Sequence, residues 1–282
     1  MPLAVRVILC LTLNEGQLSR TKRFRPDRWY TLNFVDMEEA DEIVLLAVTR
    51  EPSEAAQMAF HDTVRQFSEQ LFLPLSVGGH ISDLAGVHNL FAVGADKVVI
   101  NTHAFRHPEF ITQIAHKYGS QAVCVSIDVK DWHVWIDRGS EDTGMHVLEW
   151  AREAVSRGAG ELLLMDMDRD GSLEGYNLEL TRAVAGALTV PVVAVGGCGN
   201  WSHMVEVIRD GHASACATAA FFTLPSRAFW LPRATWARLD CRCGHDPLPH
   251  LSNARHAPAH RLYRWGVQRL LVSRGQEGDR LG

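Results

Sequence analysis

Glu42-Ile-Val-Leu-Leu-Ala-Val-Thr-Arg50 returns 119 residues later as Glu161-Leu-Leu-Leu-Met-Asp-Met-Asp-Arg169. Pro74-Leu-Ser-Val-Gly-Gly79 returns in the same way as Pro191-Val-Val-Ala-Val-Gly-Gly197, with one extra residue in the second copy. A shared offset across several segments is a repeat signal, and this period is too long for a solenoid. It suits two half-domains closing into one body. Carried back to Val7-Ile-Leu-Cys-Leu-Thr12, the repeat sets Thr12 opposite Asp128 of Val123-Cys-Val-Ser-Ile-Asp128.

Short runs of Val, Ile and Leu alternate with longer segments of helical period, the pattern of successive βα units. Strands are expected near 5–12, 42–48, 73–77, 97–101, 122–128, 161–167, 191–195 and 213–218. Their near-continuous apolar character fits strands buried on both faces, and eight such strands close into a (β/α)8 TIM barrel of about 250 residues. The repeat makes that barrel two-fold, each half a copy of the other. Helices are expected at 53–71, 82–93, 107–118, 143–157, 177–188 and 201–210, with Asn177 and Ser202 placed as N-caps.

The barrel occupies residues 1–222, and the composition changes beyond it. From Leu224 onward there are ten Arg, five Pro, three Trp and no Lys, without sustained period. Residues 223–282 therefore read as an Arg/Pro-rich tail, disordered or foreign to the fold. Cys241-Arg-Cys-Gly-His245 with His250 lacks the paired spacing of a zinc site.

At 46% hydrophobic residues the chain can bury a substantial core. A net charge of −5 and the absence of a basic stripe over the repeat argue against nucleic acid as main partner. No apolar run approaches the roughly 18 residues of a membrane span, and the start lacks signal-peptide character. A cytoplasmic address is the expectation. Cys10, Cys124 and Cys216 lie inside apolar runs and read as buried thiols.

In such a barrel the active site lies at the C-terminal ends of the strands. Gly78-Gly79 after the third strand and Gly196-Gly197-Cys198-Gly199 after the seventh allow close backbone approach, and their amides can meet phosphate oxygens. Asn101-Thr102 and Ala219-Ala220 complete two cradles on opposite sides of the mouth, so the expected substrate carries two phosphates. Asp128, at a strand end, is a candidate general acid or base. Asp170-Gly171 is placed to present backbone amides, with Asp168 or Arg169 in support. A metal site among these acids is the weaker reading, since no histidine falls at ligand spacing. Arg6, Glu42, Lys97 and Glu161 each introduce an apolar run at the other end of the barrel. Charges there must pair or stay wet, and they read either as separate surface charges or as one ring across the axis.

These residues resemble those of HisF, the cyclase subunit of imidazole glycerol phosphate synthase, over roughly 4–222. The resemblance is carried by Gly94-Ala-Asp-Lys-Val-Val-Ile-Asn101, Gly119-Ser-Gln, Gly158-Ala-Gly-Glu-Leu-Leu-Leu and Met167-Asp-Arg-Asp-Gly-Ser-Leu-Glu-Gly-Tyr-Asn-Leu-Glu-Leu-Thr-Arg182. It implies that ammonia cleaves a bis-phosphorylated ribulosyl-aminoimidazole carboxamide nucleotide, giving imidazole glycerol phosphate and aminoimidazole carboxamide ribotide, without a cofactor. It also implies phosphate contacts at Gly79, Asn101 and Thr102, and at Gly171, Gly197, Ala219 and Ala220. Arg6, Glu42, Lys97 and Glu161 match the family's ammonia gate, at whose face a HisH-like glutaminase subunit docks, with Asp96 at the contact.

The departures are specific. The first of the family's two catalytic aspartates is here Thr12, and a hydroxyl cannot exchange a proton near neutral pH as a carboxylate does. Ala47 replaces a strand-end aspartate, Met165 and Val195 replace small hydroxyl residues, and Arg20 stands for a mobile-loop lysine. Phe24 to Asp41 is short for the family, and the pattern stops after Phe222. A HisF-like subgroup that serves amidation of surface-polysaccharide sugars also lacks the first aspartate, and Leu18-Ser-Arg-Thr-Lys-Arg-Phe24 resembles its loop. Three expectations follow: an altered cyclase, an ammonia-delivering paralogue, or a non-catalytic scaffold for a glutaminase.

Overall fold

The computed structural model describes residues 5–14, 17–29 and 40–219. The expected boundary near 222, Ala220 and the Arg/Pro-rich tail lie outside the described residues. The strands are β1 (Arg6–Asn14), β2 (Gln17–Lys22), β3 (Arg25–Trp29), β4 (Glu42–Ala47), β5 (Leu75–Gly78), β6 (Lys97–Ile100), β7 (Val123–Lys130), β8 (His133–Ile136), β9 (Glu141–His146), β10 (Glu161–Asp166), β11 (Val192–Val195) and β12 (Ala215–Thr218). Between them run α1 (Glu54–Gln70), α2 (Leu84–Ala92), α3 (Thr102–Arg106), α4 (Glu109–Tyr118), α5 (Val147–Ser156), α6 (Leu178–Gly186) and α7 (Trp201–Arg209).

Eight strands pair in parallel in the order β1, β4, β5, β6, β7, β10, β11, β12, and β12 returns to β1, closing a (β/α)8 barrel. All eight expected strands are those of the ring. Period-two alternation sends Ile8, Cys10, Val44, Val99, Cys124, Leu163, Val193 and Ala217 into one interior cluster. Alternate residues such as Leu9, Leu11, Leu45 and Leu162 are also buried, as strands covered on both faces require. The helices bury apolar faces, for example Phe60, Val64 and Phe67 on α1. Cys10, Cys124, Cys198 and Cys216 are buried free thiols, and burial pushes Cys10 up to about 12.

The strand register tests the repeat independently of the sequence offset. Thr12 pairs with Leu46, and Asp128 pairs with Met165. Leu46 and Met165 are themselves 119 residues apart. Thr12 and Asp128 are therefore structural equivalents, in opposite halves of the ring. The glycine turns need a correction. Leu46 pairs with Gly78 whereas Met165 pairs with Val195, so Gly79 corresponds to Gly196 and the extra residue falls beyond the strand. The backbone agrees: a Cβ on Gly79 would sit 2.5 Å from the carbonyl oxygen of Ala47, and one on Gly196 2.8 Å from that of Asp166.

Two further corrections concern local structure. Residues 143–146, expected as the start of a helix, belong to β9, and α5 begins only at Val147. The N-cap of α7 is Asn200, whose carboxamide oxygen accepts from the His203 amide; Ser202 lies inside the helix and donates to that same oxygen. Asn177 caps α6 as expected, accepting from the Leu180 amide.

Four strands outside the ring form two hairpin extensions, β2–β3 from β1 and β8–β9 from β7. They too are related by the repeat. Thr12, Leu13 and Asn14 pair with Ser19, Leu18 and Gln17, while Asp128, Val129 and Lys130 pair with Trp135, Val134 and His133. Both rise from the C-terminal ends of their ring strands, beside the mouth.

Candidate active site

At the N-terminal end of the barrel Arg6, Glu42, Lys97 and Glu161 form a closed ring of ion pairs. Arg6 bonds Glu42 at 2.7 Å and also bonds Glu161; Lys97 bonds Glu42 at 3.1 Å and Glu161 at 2.8 Å. The period-two alternation that sends Ile8 and Val44 inward carries Arg6 and Glu42 inward as well. Burial opposes the cationic charges, but Glu161 and Glu42 together outweigh it and hold Arg6 and Lys97 above their ordinary values. Ser76 donates to Glu42 at 2.7 Å, a contact the sequence reading missed. Its signal was a single hydroxyl inside an apolar strand. Asp96 is exposed nearby, its carboxylate accepting from the Leu75 amide at 2.8 Å.

At the opposite end Asp128 is buried, 6% exposed, and accepts from the Asn101 carboxamide at 2.9 Å. Burial pushes its pKa up to about 7; the Asn101 hydrogen bond pulls down, and the nearby Asp170 charge pushes up. A carboxyl poised there can both take and return a proton near neutral pH. Thr12 offers nothing comparable, and its hydroxyl donates to the Ser19 carbonyl.

The two glycine turns lie on opposite sides of the ring. Near Gly79 the Thr102 hydroxyl accepts from the Asp137 amide at 2.9 Å, tying the end of β6 to the β8–β9 hairpin. Asn101 reaches Asp128 with its side chain, so it supports the acid from the edge of that turn. On the other side, Gly197 accepts from the Gly175 amide at 2.7 Å, and a Cβ on Gly197 would come within 2.1 Å of the Gly175 carbonyl oxygen. Only glycine, at φ 97°, permits that backbone-on-backbone packing. Tyr176 spans from the same loop to the carbonyl of Ala217 at 3.1 Å, which brings β12, and Ala219 beyond it, to the Gly196-Gly197 turn.

The acids after β10 hold loops in place. Asp166 accepts from the amides of Asp168 and Arg169 at 2.9 and 3.1 Å and from Asn177 at 2.7 Å. The Arg169 carbonyl accepts from the Ser172 amide at 3.0 Å and closes the Asp170-Gly171 turn, the support expected of Asp168 or Arg169, and the Asp166 carbonyl adds a bond from the Asp170 amide at 3.1 Å. Asp170 accepts from the Thr21 hydroxyl at 3.1 Å and the Phe24 amide at 2.9 Å, and its carbonyl from the Arg23 amide at 3.1 Å. Since Thr21 to Phe24 belong to the hairpin rising from β1, these bonds draw that hairpin over the mouth to the β10 side. Gly171 allows the contact, because a Cβ there would sit 2.6 Å from the Thr21 carbonyl oxygen.

Asp170→Ala removes two of those three bonds, so trypsin is expected to cut after Lys22 or Arg23 several-fold faster than in the wild type. Equal cleavage rates would show that the hairpin is held by other contacts.

In a comparison with known families, a family model described as histidine biosynthesis protein fits residues 6–224.

Proposed function

Since this chain belongs to the histidine biosynthesis protein family, we propose that it is a HisF-like cyclase subunit of imidazole glycerol phosphate synthase, altered at its first acid. One observation carries the reading: a buried carboxyl titrating near 7, Asp128, stands at the barrel mouth between two repeat-related glycine turns. Those turns suit a substrate with a phosphate at each end, the bis-phosphorylated ribulosyl-aminoimidazole carboxamide nucleotide. Gly78, Gly79, Asn101 and Thr102 would hold one phosphate, and Gly171, Gly196, Gly197, Ala219 and Ala220 the other. Ammonia would arrive from a HisH-like glutaminase docked beside Asp96 at the face of the ion ring, and Arg6, Glu42, Lys97 and Glu161 would gate its entry.

With Thr12 unable to trade protons, Asp128 would perform both transfers in turn. It takes a proton as ammonia adds, one water is lost as the imidazole ring closes, and the proton returns as the ribotide leaves. The test is turnover of the bis-phosphorylated nucleotide by purified protein at saturating ammonium, pH 8. Release of aminoimidazole carboxamide ribotide is the expected result.

The engagement of Thr12 with Ser19, together with Ala47 at the end of β4, favours a second reading. In it the barrel keeps its ion ring and delivers ammonia to a different acceptor, such as a polysaccharide sugar. No turnover at saturating ammonium, with glutaminase activity raised on mixing, would remove the cyclase reading and leave this one or a non-catalytic glutaminase scaffold.

A further inference from the structure

Among the described residues, four buried side-chain polar atoms find no hydrogen-bond partner, and two of them occupy equivalent places in the repeat. These are Ser19 Oγ on β2 and Trp135 Nε1 on β8. Ser19 pairs across the strand with Thr12, and Trp135 pairs with Asp128. Directly paired residues of an antiparallel ladder project to the same face. Each group therefore shares a sheet face with one of the two central residues of the mouth, one on either side of the barrel.

Buried donors and acceptors are nearly always satisfied, so an unpaired one calls for a reason. Neither is a loose surface group. Ser19 is fully buried, and the Trp135 ring is held by the Lys130 ammonium 5.5 Å from its centroid. Indole is a donor only, so Trp135 calls for an acceptor; a serine hydroxyl serves as either.

We propose that Trp135 Nε1 and Ser19 Oγ hydrogen-bond the polar atoms in the middle of the substrate, between its two phosphate ends. This rests on the cyclase reading for the substrate's identity. Trp135 then fixes an acceptor atom beside Asp128, and Ser19 does so beside Thr12 from the hairpin that Asp170 holds over the mouth.

Trp135→Phe removes the N–H and keeps an aromatic ring, which separates ligand binding from packing. In wild-type protein one of eight indole N–H signals belongs to Trp135 and is identified by its loss in that variant. That signal is expected to move on titration with the bis-phosphorylated nucleotide and to stay in place with inorganic phosphate. Trp135→Phe and Ser19→Ala should each bind the nucleotide about three- to tenfold more weakly, the worth of one hydrogen bond, with Tm no lower than wild type. An unmoved indole signal at saturation, or wild-type affinity in Trp135→Phe, overturns the inference while leaving a turnover-competent cyclase intact. Binding with a shifted indole but without turnover removes the reaction and supports the inference. Failure of the wild type to bind the nucleotide removes both.

Discussion

Asp128→Asn is expected to lower turnover of the bis-phosphorylated nucleotide by about 10²- to 10⁴-fold, the range lost with a general acid or base. Asparagine keeps the shape and can still meet Asn101, so the loss isolates proton transfer from packing. The pH dependence follows from the raised pKa of about 7. When Asp128 must first act as base, kcat/KM of the wild type should fall as pH drops through about 7. Stability moves in the opposite sense. A carboxyl whose folded pKa lies above its unfolded value of about 3.9 contributes stability that is full below about pH 4 and lost as pH rises through about 7. Asp128→Asn lacks that penalty at high pH. Its unfolding free energy should exceed that of the wild type at pH 8 by an amount on the order of a few kcal/mol, and the difference should shrink toward pH 4. Urea titrations at pH 4.5 and 8 measure it. A variant less stable at pH 8 would show that the ionised carboxylate is held by contacts that asparagine cannot reproduce.

Glu42→Ala should be the most damaging change in the ion ring. Glu42 is 3% exposed and serves Arg6, Lys97 and Ser76 together, whereas the cations are 26% and 20% exposed and reach solvent. Removing it leaves two positive charges sharing Glu161, and breaking a buried pair from one side costs about 3–5 kcal/mol. For a domain of this size that lowers Tm by about 10 °C, read by thermal or urea unfolding at pH 7. Lys97→Met, which neutralises a partly hydrated cation, should cost less. Equal and small effects of the two changes would mean that water already carries the ring.

Much of the barrel was legible because it repeats. The offset between Glu42 and Glu161 located strands in both halves, and their apolar runs marked burial on two faces. The hairpins were not legible. Both turn on residues other than glycine, Arg23-Phe24 and Asp131-Trp132, held at positive φ. Such turns usually announce themselves through Asn-Gly or Asp-Gly. Here the signal was missing, and β9, with Gly144 and Met145 just ahead of α5, looked like more of the helix. The α7 cap was misplaced for a similar reason: Asn200 and Ser202 both carry capping oxygens, and only the backbone geometry picks Asn200, extended at φ −161°.

What the sequence alone determined is whatever local pattern and repetition can encode. That covers the barrel, the equivalence of Thr12 and Asp128, the glycine turns, and the four charges that begin the inner runs. Tertiary structure decided how those groups are used, because hydrogen bonds and desolvation depend on neighbours far along the chain. Asn101 supports Asp128 across 27 positions, and Asp170 holds Phe24 across 146. Burial among such neighbours sets the Asp128 carboxyl near 7, while Thr12, its partner by the repeat, became part of a hairpin.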